Sequence, residues 1–388
     1  MEDRPAAVRR FAPTALMLGN VITGCAVLAP AGMLKELSEG LDVSVRTAGL
    51  LITFGAIVLC VGSPVTAWLT SRIERRILLA ATLAVLAVTN IASAFAPDYA
   101  SPLGLRLLML AVGVIYTPQA AGTAAMIVPE AKRGSTIAYV FLGWSLAAAV
   151  GLPLITLVAY RYGWRAAYGG IGALGSVSFL LLTWRLPGGL FSAPVVLRTW
   201  LDLARNRLVV LLLLTTMLYM AGQFVIFTFM GPLLTRLTGA SADAVGLIFP
   251  VYGVFGFTGV AIATRIVDGW GAYRTSLLFM TLVLAGVTGW ALTAGNYILM
   301  ALSVALWGLG FASSNSMQQV RLVAAAPPLA SASVSLNTSV LYIGQAIGSA
   351  VGAILYGRDM LHGAGYVAVA FVALALLTVV ATRPPAAR

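Results

Sequence analysis

The feature that most constrains this chain is a stretch without any charged side chain, from residue 134 to residue 160. A helix of about 20 apolar residues is long enough to cross the roughly 30 Å hydrocarbon core of a bilayer. The stretch therefore predicts a membrane span. Similar runs cover residues 11–34, 47–71, 77–97, 107–129, 166–184, 208–235, 244–264, 275–320, about 331–356 and 363–382.

The composition agrees with a membrane protein that crosses the bilayer many times. Of the 388 residues, 60% are hydrophobic and only 9% are charged, whereas a soluble domain has about a quarter charged residues. The run 275–320 is long enough for two crossings and is interrupted near Gly295 and Asn296. We therefore predict an all-α polytopic membrane protein with twelve transmembrane helices.

A break in hydrophobicity divides the spans into two groups of six. Residues 185–207 contain Pro187, Gly188, Gly189, Pro194 and four arginines, a composition typical of a connector. A short amphipathic helix is expected within it, at about residues 195–204. The predicted domains are a six-helix bundle over 1–184, a cytoplasmic connector over 185–207 and a second six-helix bundle over 208–388.

The two groups carry matching glycines. Gly143 and Gly151 are eight residues apart in span five, and Gly344 and Gly352 are eight apart in span eleven. Since residues without a side chain let helices approach closely, these positions predict tight packing. For span eleven we expect span two as the partner. The repetition indicates two six-helix pseudo-repeats, an arrangement found in secondary transporters.

Span five carries the most specific motif. Gly143 and Gly151 are followed by Pro153, and the sequence Gly-Trp-Arg follows the span at residues 163–165. This pattern resembles the antiporter motif of the drug:proton antiporter branch of the major facilitator superfamily, especially its sugar-efflux and chloramphenicol-efflux exporters. The resemblance implies the major facilitator fold, a kinked helix between the two halves and export rather than uptake.

The end of span two resembles the gating loop of that family. Arg72, Arg75 and Arg76 stand at matching positions, whereas Ser71 replaces the family's Asp and Glu74 replaces a Gly. In the second copy, Asp268 retains the carboxylate. The resemblance implies a cytoplasmic latch that has lost its charge in the first half. A simple cluster of positive charges at the cytoplasmic face is the alternative.

Arg106 is the one charge expected below the membrane interface in the first half. It stands where the family has an arginine used in substrate binding or proton transfer, although Leu110 replaces the Gly that usually follows. A charge at membrane depth is a functional candidate, and this one would hold an anionic solute or an interface acid such as Asp98. The alternative is that its side chain extends to the outer interface.

In the family, spans one, four, seven and ten line the solute cavity. Polar and aromatic residues of this chain fall in those four spans, and they are our candidates for substrate binding together with Arg106: Asn20, Tyr116, Gln119, Tyr219, Gln223, Trp307, Asn315 and Gln319. Each of them alone would also fit an interhelical hydrogen bond. Together they predict a neutral cavity of amide and aromatic groups.

Charge and cysteine usage exclude several classes of function. The net charge is +12, but the basic residues form short clusters between apolar runs rather than a basic face, so nucleic acid is not an expected partner. Cys25 and Cys60 fall inside spans and His362 is the only histidine, so neither a metal nor another cofactor is expected. No nucleophile and base pair is found at membrane depth, which argues against an enzyme.

The distribution of positive charge predicts the orientation. With the N-terminus inside, seventeen Lys and Arg residues are cytoplasmic and seven are outside, which places both termini in the cytoplasm. We expect a monomer in the inner membrane. The residues of this count that precede the first span are Arg4, Arg9 and Arg10.

These features predict a transporter that exports a small neutral or weakly anionic solute by alternating access. The solute is a drug, a sugar or a metabolite, and protons are the expected counter-transported ion. All acidic residues fall in loops or at span ends, so a cationic solute would meet no buried counterion. The alternatives are a proton-independent facilitator or organic-anion carrier, and a membrane receptor or scaffold that does not transport.

Overall fold

The computed structural model describes residues 11–192 and 194–383, and the described residues contain helices and no strand. Arg4, Arg9, Arg10 and Arg388, which entered the orientation count, lie outside these ranges. The chain forms two compact units. The first contains residues 1–200 and 327–335, and the second contains residues 201–326 and 336–388.

The first unit provides spans one to six. Their helices are, in chain order, Ala12–Gly32, Val45–Leu69, Arg75–Ala94, Ala100–Gly113 continued by Tyr116–Ile127, Arg133–Leu146 continued through Ala147–Gly151 to Leu152–Tyr162, and Trp164–Arg185. Two short helical segments, Leu34–Gly40 and Glu130–Lys132, join spans within this unit. The connector helix Leu197–Arg205 follows span six, close to the range expected for it.

The second unit provides spans seven to twelve. Their helices are Arg207–Phe227 continued by Met230–Thr238, Ala242–Trp270, Ala272–Leu292, Tyr297–Ala325, Ala330–Gly357 and Leu361–Ala381. The first residues of span eleven, through Ser335, group with the first unit. The break predicted near Gly295 and Asn296 is confirmed, because Asn296 Oδ1 accepts a hydrogen bond from Leu299 N (3.2 Å) and caps span ten.

Eleven helical segments of the described chain are long and apolar enough to cross a membrane. The remaining predicted span, span two, is the 25-residue helix Val45–Leu69. Its part Ile57–Leu69 forms a shorter apolar helical segment. Helices suit this environment because a bilayer offers no water to satisfy backbone polar groups, and a helix satisfies its own. The all-helical fold class is therefore confirmed.

Span four begins earlier than the sequence predicted. Its first helix starts at Ala100, so Arg106 lies well inside the span and its side chain is 4% exposed. The uncharged run 107–129 begins only where the charge of Arg106 ends, whereas the helix extends back to Ala100. Backbone carbonyl groups surround the guanidinium and let it lie within the span.

Span five departs from a regular α-helix near Gly151 and Pro153, where we expected a bend. The helix widens to a π-helical turn over Ala147–Gly151 and then resumes at Leu152. Pro153 has no N–H, so the carbonyl of residue 149 loses its usual helical donor. A π turn changes the local hydrogen-bond pattern and is a recognised cause of bending in helices.

The glycines of span five pack against span one within the first unit. A Cβ atom added to Gly143 would lie 2.4 Å from Met17 O, and one added to Gly151 would lie 2.4 Å from Cys25 Sγ. Both distances are far below van der Waals contact. The absent side chains are therefore what allows spans one and five to touch.

The second unit repeats this packing with span seven. A Cβ atom added to Gly344 would lie 2.4 Å from Met217 O, and one added to Gly352 would lie 2.4 Å from Val225 O. We expected span two to cover these glycines, but span seven covers them instead. Spacing along one helix identifies a smooth face, but it does not identify the partner that covers the face.

Candidate functional site

Asn20 joins three spans of the first unit. Its Nδ2 donates to Val140 O (2.9 Å), and its Oδ1 accepts from Thr117 Oγ1 (2.8 Å). Thr117 Oγ1 in turn accepts from Trp144 Nε1 (2.9 Å). Because Asn20 is fully buried and bonded through both ends of its amide, this network ties span one to spans four and five.

Tyr116 and Gln119 follow each other by one turn in span four, and both are buried. Tyr116 Oη donates to Leu16 O (3.2 Å) and lies where a side chain at Gly19 would be. Gln119 Oε1 has no hydrogen-bond partner among the described residues. Tyr116 thus contributes to packing against span one, while Gln119 keeps an unused acceptor.

Arg106 is surrounded by carbonyl groups of spans one and two. Its Nε donates to Leu51 O (2.8 Å), its Nη1 to Ala26 O (3.1 Å) and its Nη2 to Val27 O (2.8 Å). All three nitrogen atoms of the guanidinium are therefore engaged by the backbone. The side chain is folded into the bundle rather than extended to an interface.

The interface acid Asp98 has a separate role. Its Oδ1 accepts hydrogen bonds from Ser101 Oγ (2.7 Å) and Ser101 N (2.9 Å), next to the start of span four. These bonds lower the pKa of the Asp98 carboxyl, because they favour its ionised form. An acid with a lowered pKa remains ionised throughout the neutral range and exchanges no proton there.

In the second unit, Gln223 lies at the centre of a polar contact between spans seven, eight and ten. Its Oε1 accepts hydrogen bonds from Trp307 Nε1 (2.6 Å) and from Tyr252 Oη (3.3 Å). Gln223 Nε2 and Tyr219 Oη, one turn apart on span seven, are buried and have no hydrogen-bond partner among the described residues. The Tyr219 hydroxyl and the Gln223 amide N–H groups on one face of span seven are therefore available to bind another molecule.

Aromatic rings cluster around Tyr252. The ring of Tyr252 lies 5.1 Å from that of Phe227, 5.4 Å from that of Trp307 and 5.4 Å from that of Phe311, measured between centroids. Tyr252 was not among the candidates from the sequence, because span eight is not one of the four spans that the family resemblance assigns to the cavity. Its position within an uncharged run was the available signal.

Asn315 and Gln319 are one turn apart on span ten. Asn315 is half-buried, Gln319 is buried, and their side-chain oxygens have no hydrogen-bond partner among the described residues. No hydrogen bond between described residues joins them to Gln223. They form a second set of amide groups in the same unit.

The loop after span two holds the start of the connector. Glu74 Oε1 accepts from Gly189 N (2.7 Å), Arg75 N donates to Leu190 O (2.9 Å), and Arg75 Nη2 donates to Ser192 Oγ. Arg75 is buried, Arg76 is half-buried and Arg72 is exposed. The Glu that departs from the family pattern therefore has a contact of its own.

Ser71 and Asp268 differ in their surroundings. Ser71 is buried just after span two, and its Oγ donates to Trp68 O (3.0 Å) in the last turn of that span. Asp268 is exposed near the end of span eight. Within the described spans, acidic residues occur only near the two ends of span eight, at Asp243 and Asp268.

Comparison with known proteins identifies the family. The profile described as Major Facilitator Superfamily matches residues 16–349 and, in a second match, residues 212–388. The inner membrane transport protein YdhP of Escherichia coli (strain K12) is 30% identical over 358 residues, which cover 91% of this chain and 89% of YdhP.

A probable sugar efflux transporter of Mannheimia succiniciproducens is 25% identical, over 90% of this chain and 87% of its own length. Among solved structures, the human organic anion transporter MFSD10 superimposes with a TM-score of 0.78 at 17% identity, over 97% of this chain and all of that one. This last likeness concerns the fold. From the profile match and the similarity to YdhP, the chain belongs to the Major Facilitator Superfamily and is a multi-pass membrane transporter, not an enzyme.

Proposed function

We propose that this transporter exports a small neutral or weakly anionic solute by alternating access, and that a neutral, hydroxyl-bearing solute fits it best. The observation that carries the proposal is the pair of buried donors on span seven, Tyr219 Oη and Gln223 Nε2, which no described residue satisfies. Buried polar groups normally have a partner. A solute oxygen between these donors would supply it.

The surroundings of the pair favour the same class of solute. Tyr252 and Trp307 bond to Gln223, and the rings of Phe227 and Phe311 pack on Tyr252. Such aromatic surfaces suit the apolar faces of sugars and of uncharged drugs. A carboxylate that would attract a cation is absent from the interior of the described spans. The similarity to a probable sugar efflux transporter supports both the export direction and a sugar-like solute.

Arg106 gives less support to the organic-anion alternative. Three of its five N–H groups already donate to the carbonyls of Leu51, Ala26 and Val27, so most of its donor capacity is used by the backbone. An arginine also stays protonated at any physiological pH, so it does not exchange protons. Proton coupling would therefore use another group.

Counterflow in proteoliposomes tests this proposal. Vesicles containing the full chain would be loaded with an unlabelled mono- or disaccharide and diluted into the labelled one, with benzoate and ethidium as the anionic and cationic comparisons. We expect accumulation of a neutral solute and none of ethidium. Counterflow of benzoate alone would favour the anion carrier, and the absence of counterflow for every solute would favour a receptor or scaffold.

We also propose proton antiport as the driving force. One proton moving down 100 mV supplies about 2.3 kcal/mol, which corresponds to roughly 50-fold accumulation. Imposing an inward proton gradient should then drive efflux of the solute identified by counterflow. Equal rates with and without the gradient would identify a facilitator.

The spans are proposed to form two bundles, over residues 1–184 and 208–388, joined by a cytoplasmic connector over 185–207, in a protein that acts as a monomer with both termini in the cytoplasm. A fluorescent protein fused after Arg388 should therefore fold and fluoresce, since such fusions mature in the cytoplasm. Alkaline phosphatase fused at the same residue should be inactive. The reverse pattern would contradict the orientation.

We propose that the cytoplasmic latch depends on the carboxylate of the second half only. Asp268 keeps a carboxylate near the end of span eight, whereas Ser71 is a neutral residue bonded to the end of span two. Asp268→Asn should shift the conformational balance, seen as changed distances between spin labels, and Ser71→Ala should change them little. Equal shifts from the two substitutions would show that the asymmetry has no functional role.

A further inference from the structure

Span one contains a proline near its C-terminal end. Pro30 lies inside the helix Ala12–Gly32 and has no N–H, so the carbonyl of Ala26, four residues earlier, loses its helical donor. In the hydrocarbon region of a bilayer, water does not replace that donor. The Ala26 carbonyl therefore needs a partner from another part of the protein.

Arg106 provides this partner from span four. Its Nη1 donates to Ala26 O at 3.1 Å, and its Nη2 donates to the neighbouring Val27 O at 2.8 Å. The planar guanidinium presents several donors in a fixed fork, which suits two adjacent carbonyl groups. A positive charge near the C-terminal end of a helix also interacts favourably with the helix dipole.

The same guanidinium reaches span two, where room has been left for it. Nε donates to Leu51 O at 2.8 Å. A Cβ atom added to Gly55 would lie 2.7 Å from Leu110 Cδ1 and 3.6 Å from Arg106 Nη2. Leu110 occupies the position where the family resemblance expects a glycine, and Gly55 of span two provides the space instead.

We infer that Arg106 is a positioning residue, which caps the carbonyl that Pro30 leaves without a helical donor and fixes the end of span one to spans two and four. The charge at membrane depth is thus used to satisfy backbone carbonyls rather than to bind the transported solute. Arg106 has this capping role whichever solute the transporter carries.

Cys25 offers a direct readout of this cap. It immediately precedes Ala26, is buried, and packs where a side chain at Gly151 would be. In purified full-length protein carrying Cys60→Ser, Cys25 is the only remaining cysteine. Its rate of alkylation by N-ethylmaleimide then reports how often the end of span one opens.

We expect Arg106→Met to raise this rate at least tenfold. In a Pro30→Ala background the same substitution should raise it threefold or less, because an alanine at this position restores the N–H that the Ala26 carbonyl lacks. Pro153→Ala is the matched control background, since that proline lies in span five, and there the tenfold effect should remain. Arg106→Lys should give an intermediate rate, because lysine keeps the charge and loses the fork.

Two results would overturn the inference. One is an equal effect of Arg106→Met with and without Pro30→Ala, which would show that the two residues are not coupled. The other is protection of Cys25 by millimolar benzoate in the parent protein but not in the Arg106→Met variant, which would identify a bound anion. If Arg106→Met is not recovered in folded form, Arg106→Lys carries the same comparison between the two backgrounds.

Discussion

Leucine in place of Gly143 should prevent spans one and five from packing, and the variant should lose its folded state or melt far below the parent. The Cβ atom alone would lie 2.4 Å from Met17 O and 3.0 Å from Val21 N. These are backbone atoms, which do not move aside by changing a rotamer. Since overpacking a buried site typically costs about 1–3 kcal/mol and sometimes more, we expect at least the upper end of this range.

Two further substitutions calibrate the result. Gly151→Leu should be less damaging than Gly143→Leu, because its nearest obstacle is Cys25 Sγ, which belongs to a side chain that can rotate. Gly170→Leu is the matched control in span six, where an added Cβ meets nothing within 4 Å. Melting temperatures and monodispersity in detergent measure all three. Comparable losses in Gly143→Leu and Gly170→Leu would contradict the packing explanation.

The second large effect concerns Gln223. Gln223→Leu removes the acceptor shared by Trp307 Nε1 and Tyr252 Oη and leaves a buried indole N–H without a partner. An unsatisfied buried donor costs about 1–3 kcal/mol, so the variant should melt below the parent. If the solute binds at Tyr219 and Gln223, the same substitution should also abolish counterflow.

A double substitution separates these two effects. In Gln223→Leu with Trp307→Phe, the unpaired N–H is gone, so part of the stability should return. Gln119→Leu is the control for stability, because Gln119 Oε1 has no hydrogen-bond partner among the described residues. Tyr219→Phe removes one proposed solute donor while keeping the ring, and should weaken counterflow with little loss of stability. Unchanged counterflow in Tyr219→Phe and Gln223→Leu would remove these residues from the proposed site.

The sequence was most informative about features that depend on local chemistry. Uncharged runs identified the spans, and Asn296 identified the start of span ten because a cap acts on its own helix. The smooth faces at Gly143 and Gly344 were recognisable from spacing alone. These features required no knowledge of which helices are neighbours.

Features that depend on the partner were not predictable in the same way. The carbonyl groups that receive Arg106 belong to the backbone, which every residue has, so no side-chain pattern identifies them. Tyr252 became a candidate only when its hydroxyl was found beside Gln223. The contact between Glu74 and Gly189 joins residues far apart in the chain, and a departure from a family motif gives no indication of its new partner.

The repeated glycine packing has an evolutionary consequence. Gly143 packs against the Met17 carbonyl, and Gly344 packs against the Met217 carbonyl in the same way. This equivalence is expected if both halves descend from one duplicated six-helix ancestor. One turn after Met17, Asn20 contributes to a polar network. The equivalent position one turn after Met217 is the apolar Met220. Duplication lets the copies diverge wherever the shared interface tolerates it. Ancestral reconstruction of this region should therefore find the glycines fixed first and the polar residues of each copy acquired later.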